Sequence, residues 1–161
     1  MAMLLSKTVQ GIGACHENNP KENLSVKIFA TDIDEASIDI ARKGIYPGDS
    51  LEKVASLLRR QFFKPASIDT RYQVMPLIRN LVTFGVHDLV SNIHLAHMDI
   101  ILCRNLLIYF EKDLQEKVFE KFCYSLNRGG FIILGKSEVV SSIYRDRFRE
   151  ASRREKIYQK I

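Results

Sequence analysis

No apolar run in this chain is long enough to span a membrane, so no membrane insertion of these residues is expected. The opening Met1-Ala2-Met3-Leu4-Leu5 is too brief for a signal-peptide core, and no small-residue cleavage pattern follows it. The three cysteines, Cys15, Cys103 and Cys123, are odd in number and lack metal-like or redox spacing, so a reducing cytoplasm is expected. His87, Asp88, His94, His97 and Asp99 lie close together in sequence, but their spacing fits no strong zinc pattern, and no metal is expected. Gly11-Ile12-Gly13 starts like a Gly-rich nucleotide loop, yet His16 stands where the third glycine belongs. It also follows a helical stretch, not a strand, so it reads as a helix C-terminus. Internal repeats and low-complexity segments are absent, and so is any Ser/His/Asp or Cys/His set for nucleophilic catalysis.

What remains is a chain of 161 residues, 46% hydrophobic, enough for one domain with a real core. The net charge is +5, with much of the excess near the C-terminus: Arg145, Arg147, Arg149, Arg153, Arg154, Lys156 and Lys160. Without an aromatic platform or a nucleic-acid motif, that cluster reads as the solvated face of a hairpin, and nucleic acid is not expected as a partner.

In chain order, residues 1–10 read as the tail of a helix and 14–25 as a polar loop. Residues 26–32 form a strand ending in Asp32; Asp34 caps a helix over 35–43, and Gly44 closes it. Strand, acid, helix is half of a βαβ unit, and an acid at such a strand end often accepts from ribose hydroxyls, which singles out Asp32. Residues 50–63 read as a helix with Leu51, Val54, Leu57 and Leu58 on one face. Residues 63–80 read as a small β excursion, its second piece running on into a frame strand at Leu81–Phe84. Asp88 lies at the end of that strand. An amphipathic helix is predicted over 112–126, with Leu114, Val118, Phe122 and Leu126 every four residues. Asn127-Arg128-Gly129-Gly130 stops it before a buried strand at Phe131–Leu134, and two strands follow at 147–151 and 156–160.

The most informative stretch is Met98 to Phe110. Its apolar opening is short and branched, as in a strand buried on both faces of a parallel sheet. Arg104 and Asn105 follow with no turn signal, at the strand end where open α/β sheets bind ligands. Taken alone, the stretch is equally compatible with Arg104 capping the strand and Tyr109 packing in the core.

Four segments resemble the chemotaxis receptor methyltransferases, the CheR family. They are Ile28 to Asp34 with Ala41 to Tyr46, the excursion ending in Val82-Thr83-Phe84, Met98 to Phe110 around Cys103-Arg104-Asn105, and Asn127 to Glu138. Their order and spacing carry the likeness, which looks closest to versions fused to a methylesterase domain. The resemblance implies a class I methyltransferase, an α/β Rossmann-like sheet, that transfers methyl groups from S-adenosylmethionine to receptor glutamates. It places Asp32, Asp88, Leu89, Arg104 and Asn105 around the cofactor and Tyr109, with Arg104, beside methyl transfer. Residues 63–80 would be the family's β subdomain, here too short for confident binding of a receptor tail. The family's N-terminal helical domain, first strand and Gly-rich loop find no counterpart, so residues 1–161 are expected to be a truncated catalytic domain. A degenerate docking module without catalysis is the alternative, and a nicotinamide-dependent oxidoreductase, supported by Asp32 alone, ranks low.

Overall fold

A computed structural model describes residues 25–67 and 70–161. The expectations for residues 1–24, including the Gly11 helix end and Cys15, lie outside the described residues. The chain divides at His87 and Asp88 into two units.

In the first unit, β1 (Ile28–Asp32) leads into α1 (Glu35–Lys43). Asp34 caps α1 by accepting the N–H groups of Ala36 and Ser37, each at 3.1 Å. Gly44 ends it at φ 63°, a left-handed turn that costs glycine nothing. Ile38 is the buried side chain of this helix, which packs on β1 and β5 (Val82–Val86). Those strands pair in parallel from Ile28 opposite Val82 to Asp32 opposite Val86, as a βαβ unit requires. Between them a second, antiparallel sheet forms, with β4 (Arg71–Val74) central between β2 (Ile45–Pro47) and β3 (Phe63–Pro65). Two of its strands fall in residues 63–80; the third, β2, lies outside that range, directly after the Gly44 helix stop.

The helix expected over residues 50–63 is two pieces, a 3-10 turn at Gly48–Leu51 and α2 (Ser56–Phe62). The reason is burial: Leu51 and Phe62 are inside, but Leu57 is 67% exposed, so the leucines do not share a face. A short α3 (Pro76–Arg79) then leads to β5.

In the second unit, β6 (Met98–Leu102) is followed by a 3-10 turn at Leu107–Tyr109, α4 (Lys112–Ser125), β7 (Leu126–Ile133), β8 (Phe148–Ser152) and β9 (Ile157–Lys160). The sheet order is β6-β7-β9-β8, with β6 and β7 parallel and the C-terminal strands antiparallel. Its core is built from Val118, Phe119, Phe122 and Cys123 of α4 against Leu107, Ile132, Leu134, Val140, Phe148 and Tyr158.

Asn127-Arg128-Gly129-Gly130 does not simply stop the helix. β7 begins at once with Leu126 opposite Met98, and the register jumps to Phe131 opposite Ile100, so the four residues bulge out of the ladder. Gly130 permits this, because a Cβ there would lie 2.9 Å from the Asn127 carbonyl and 3.0 Å from that of Asp99. β6 also differs from expectation. Ile100 and Leu102 are 39% and 47% exposed, because among the described residues β7 is its sole partner and β6 is a sheet edge.

Candidate functional site

β6 ends at Leu102, and the Cys103 N–H still donates to the Ile133 carbonyl at 3.0 Å. The chain then turns sharply, with Asn105 at φ 57°, an uncommon conformation for a residue with a Cβ. A buried carboxylate holds this turn. Glu138 Oε1 accepts the N–H groups of Leu106 (2.9 Å) and Leu107 (2.8 Å), and Oε2 those of Asn105 (3.1 Å) and Gly135 (2.5 Å). Burial pushes the Glu138 carboxyl up, but the four N–H donors outweigh it and hold it below the ordinary glutamate value. The apolar surroundings and the Glu138 charge act together on Cys103: burial first, then Glu138, push that thiol up to about 12, so it is no thiolate nucleophile.

Past the turn, Leu107 is buried and anchors the 3-10 segment, while Gln115 of α4 donates to the Leu107 and Phe110 carbonyls at 3.0 Å each. Arg104, Asn105 and Tyr109 are therefore presented on one short, rigidly held stretch, all exposed, Tyr109 by 78%. Tyr109 does not pack in the core. Among the described residues the ion pairs are Arg42–Asp39 and Arg154–Glu155, which leaves the Arg104 guanidinium without an acidic partner there.

Asp88 and Leu89 lie on another loop of the same unit. Asp88 Oδ1 accepts the Val90 N–H at 2.8 Å, and the Asn92 side chain accepts the Asp88 N–H at 2.6 Å. The Ser91 hydroxyl and Val90 N–H hold the Asp88 carboxyl below its usual value, so part of its capacity is spent on its own turn. Leu89 packs against the core of this unit. Lys121 of α4 donates to the Val90 and Asn92 carbonyls and ties the loop to the helix. Asp32 belongs to the first unit, exposed at the end of β1, where it accepts the Asp34 N–H at 3.0 Å.

Glu138, Gln115 and Lys121 were not singled out from the sequence. The available signal was Glu138 itself, an acid followed by Val139-Val140 just past the glycine that ends a buried strand. An open hollow of about 560 Å³ in the first unit is lined by Arg42, Pro76, Arg79, Asn80, Val82 and Phe84, none of them a residue singled out above. Its guanidiniums are engaged with backbone, Arg42 with the Phe84 carbonyl at 3.2 Å and Arg79 with that of Arg42 at 2.6 Å.

Parallel strand pairs, each with polar side chains at its carboxyl end, fit the open α/β class, whose members bind ligands beyond those strand ends. Within that class the chain belongs to the CheR methyltransferase family, matching its SAM-binding domain over residues 1–157. It is 39% identical over 120 residues to "Chemotaxis protein methyltransferase 1" of Vibrio cholerae, covering 74% of this chain and 44% of that protein. To the "Probable chemotaxis protein methyltransferase" of Rhizobium etli it is 36% identical over 118 residues, 71% of this chain and 44% of the relative. An uncharacterized 104.1 kDa protein of Rhodobacter capsulatus is 31% identical over 137 residues, 85% of this chain but 14% of the relative. The chain thus spans less than half the length of these relatives.

The family's cofactor, S-adenosylmethionine, suits the donor set. Taken unit by unit, the exposed Arg104 guanidinium of the second unit is complementary to a carboxylate such as the cofactor's, and the exposed Asp32 carboxylate of the first to hydroxyls such as those of its ribose. The cofactor carries no phosphate, and the run of N–H groups at Asn105, Leu106 and Leu107 that would suit one is filled by Glu138.

Proposed function

We propose that the protein containing this chain methylates glutamate side chains of chemoreceptor-like proteins, using S-adenosylmethionine. The observation that supports this most is the clamped Arg104-Asn105 turn at the end of β6, with a guanidinium that has no acidic partner among the described residues, on a rigid base. When bound, the cofactor supplies an electrophilic methyl group on a sulfonium. The acceptor glutamate is already ionised at neutral pH, since an unperturbed Glu titrates near ~4.3. No general base is needed, in keeping with a Cys103 thiol held protonated. The chain's residues bind and align. Arg104 and Asn105 fix the polar groups of the cofactor, Asp32 its ribose, Asp88 and Leu89 its base, and exposed Tyr109 orients the incoming carboxylate.

In this reading residues 1–161 are part of a catalytic domain, and residues 63–80 are a small β insertion in it. The reading includes a cytoplasmic setting, which suits the free, buried Cys103 and Cys123. It also includes a multi-module parent with a methylesterase domain, a length for which the Rhodobacter relative is a precedent.

The test is Arg104→Ala in the full-length gene product, followed by S-adenosylmethionine titration calorimetry and methyl incorporation into receptor. Binding should fall ~10-fold or more with thermal stability unchanged, because the side chain is exposed. Unchanged methylation rejects the assignment. A wild-type protein that neither binds the cofactor nor methylates is a docking module instead.

A further inference from the structure

We propose that Glu138, together with Gly135, is the positioning device of the cofactor site, locking the turn that presents Arg104 and Asn105. The inference rests on the cofactor reading above and names the residues that make the site rigid.

A carboxylate that is 4% exposed must have its lone pairs satisfied or pay heavily for burial. Glu138 satisfies them with four backbone N–H groups and, among the described residues, no side-chain cation. Three donors come from successive residues, Asn105 to Leu107, whose N–H groups converge only because Asn105 is left-handed at φ 57°. The carboxylate therefore selects that backbone shape, which Asn105 alone disfavours. The fourth donor, Gly135, stands at the end of the neighbouring strand β7. A Cβ there would lie 2.6 Å from both Asn105 Oδ1 and Glu138 Oε2 and 2.9 Å from the Asn105 N. Asn105 and Glu138 thus close over a glycine-sized gap, and the device ties the turn after β6 to the end of β7. Leu107, one of the donors, is also a core side chain, but most of the core of this unit comes from α4, β7 and the C-terminal strands, so the device can loosen while that packing remains.

The experiment uses the full-length gene product in three arms. In the wild type, the amide signals of Asn105, Leu106, Leu107 and Gly135 should shift together on acidification, with one midpoint below the ordinary glutamate value. Independent behaviour of the four overturns the proposal without any variant being needed. Glu138→Gln keeps the volume but turns an acceptor into a donor facing N–H groups. It should cut hydrogen-exchange protection at these four amides and raise KM for S-adenosylmethionine ~10-fold, with KM for the acceptor protein unchanged. Gly135→Ala, whose Cβ crowds both Asn105 and the Glu138 carboxylate while the charge is kept, should reproduce that KM split. Retained protection, or loosened amides with an unchanged cofactor KM, overturns the positioning role while the function stands. A wild type that binds no cofactor overturns the function as well.

Discussion

Cys103 and Glu138 are near neighbours in space, and each sets the other's chemistry. The thiol is pushed up to about 12 by burial and by the Glu138 charge, so it should resist iodoacetamide at neutral pH until the protein is denatured. Mass spectrometry of alkylated peptides, with and without urea, checks this; rapid labelling of native Cys103 would contradict its burial. Glu138 carries the opposite sign. Its folded-state pKa is depressed, so its stabilising contribution is complete above the unfolded-state value and is lost as pH falls through the folded one. Urea midpoints between neutral pH and pH ~3 should therefore decline on the acid side, starting near the ordinary ~4.3 of a glutamate. In Glu138→Gln the decline should be shallower from a lower starting point. An identical slope in both proteins would mean that other carboxylates, Asp34 and Asp88 among them, carry the whole acid response.

At the level of elements, α4 does more than fill the core. Gln115 fixes the 3-10 segment after the Arg104 turn, and Lys121 fixes the loop of Asp88 and Leu89, so one helix serves both candidate loops. Lys121→Met keeps the aliphatic stem and removes the donor. Hydrogen exchange should quicken at Val90 and Asn92, and cofactor affinity should drop several-fold with little loss of global stability. No change in exchange would show that the loop holds itself through Asp88 and Asn92. At the other end of α4, Lys160 donates to the Cys123 and Leu126 carbonyls, the natural use of a cation at a helix C-terminus. Lys160→Met should cost about 1 kcal/mol by chemical denaturation, a modest figure because the ammonium is only part-buried.

The amphipathic period of α4, the Asp34 cap and the Gly44 stop were all legible in the sequence, because each signal is local. So was the end of β6, marked by the abrupt change from apolar residues to Arg104 and Asn105. What escaped depends on partners far along the chain. Glu138 meets N–H groups more than 30 positions away, as its contacts with Leu106 and Leu107 show. The Asn127–Gly130 bulge is set by pairing with β6, and the exposure of Leu57 by what α2 packs against. None of these can be read from periodicity within one segment.

For the molecule as a whole, the open question is what its strand edges meet. Among the described residues β1 has β5 as its partner and β6 has β7, so each offers one edge without a neighbour there. Both edges carry exposed apolar side chains, Phe29 at 48% on β1 and Ile100 and Leu102 at 39% and 47% on β6. Such edges template pairing with another chain unless something covers or charges them. β6 has one charge, Asp99, and that carboxylate is engaged with the Asn127 side chain at 2.8 Å. Residues 1–161 expressed alone should therefore self-associate as concentration rises, whereas the full-length gene product should not. Sedimentation velocity over a hundredfold range of concentration distinguishes the two. Leu102→Lys places a charge on the exposed face of the edge and should shift the short chain toward monomer with its secondary structure intact. A short chain that stays monomeric throughout would mean that residues outside the described set already cover these edges.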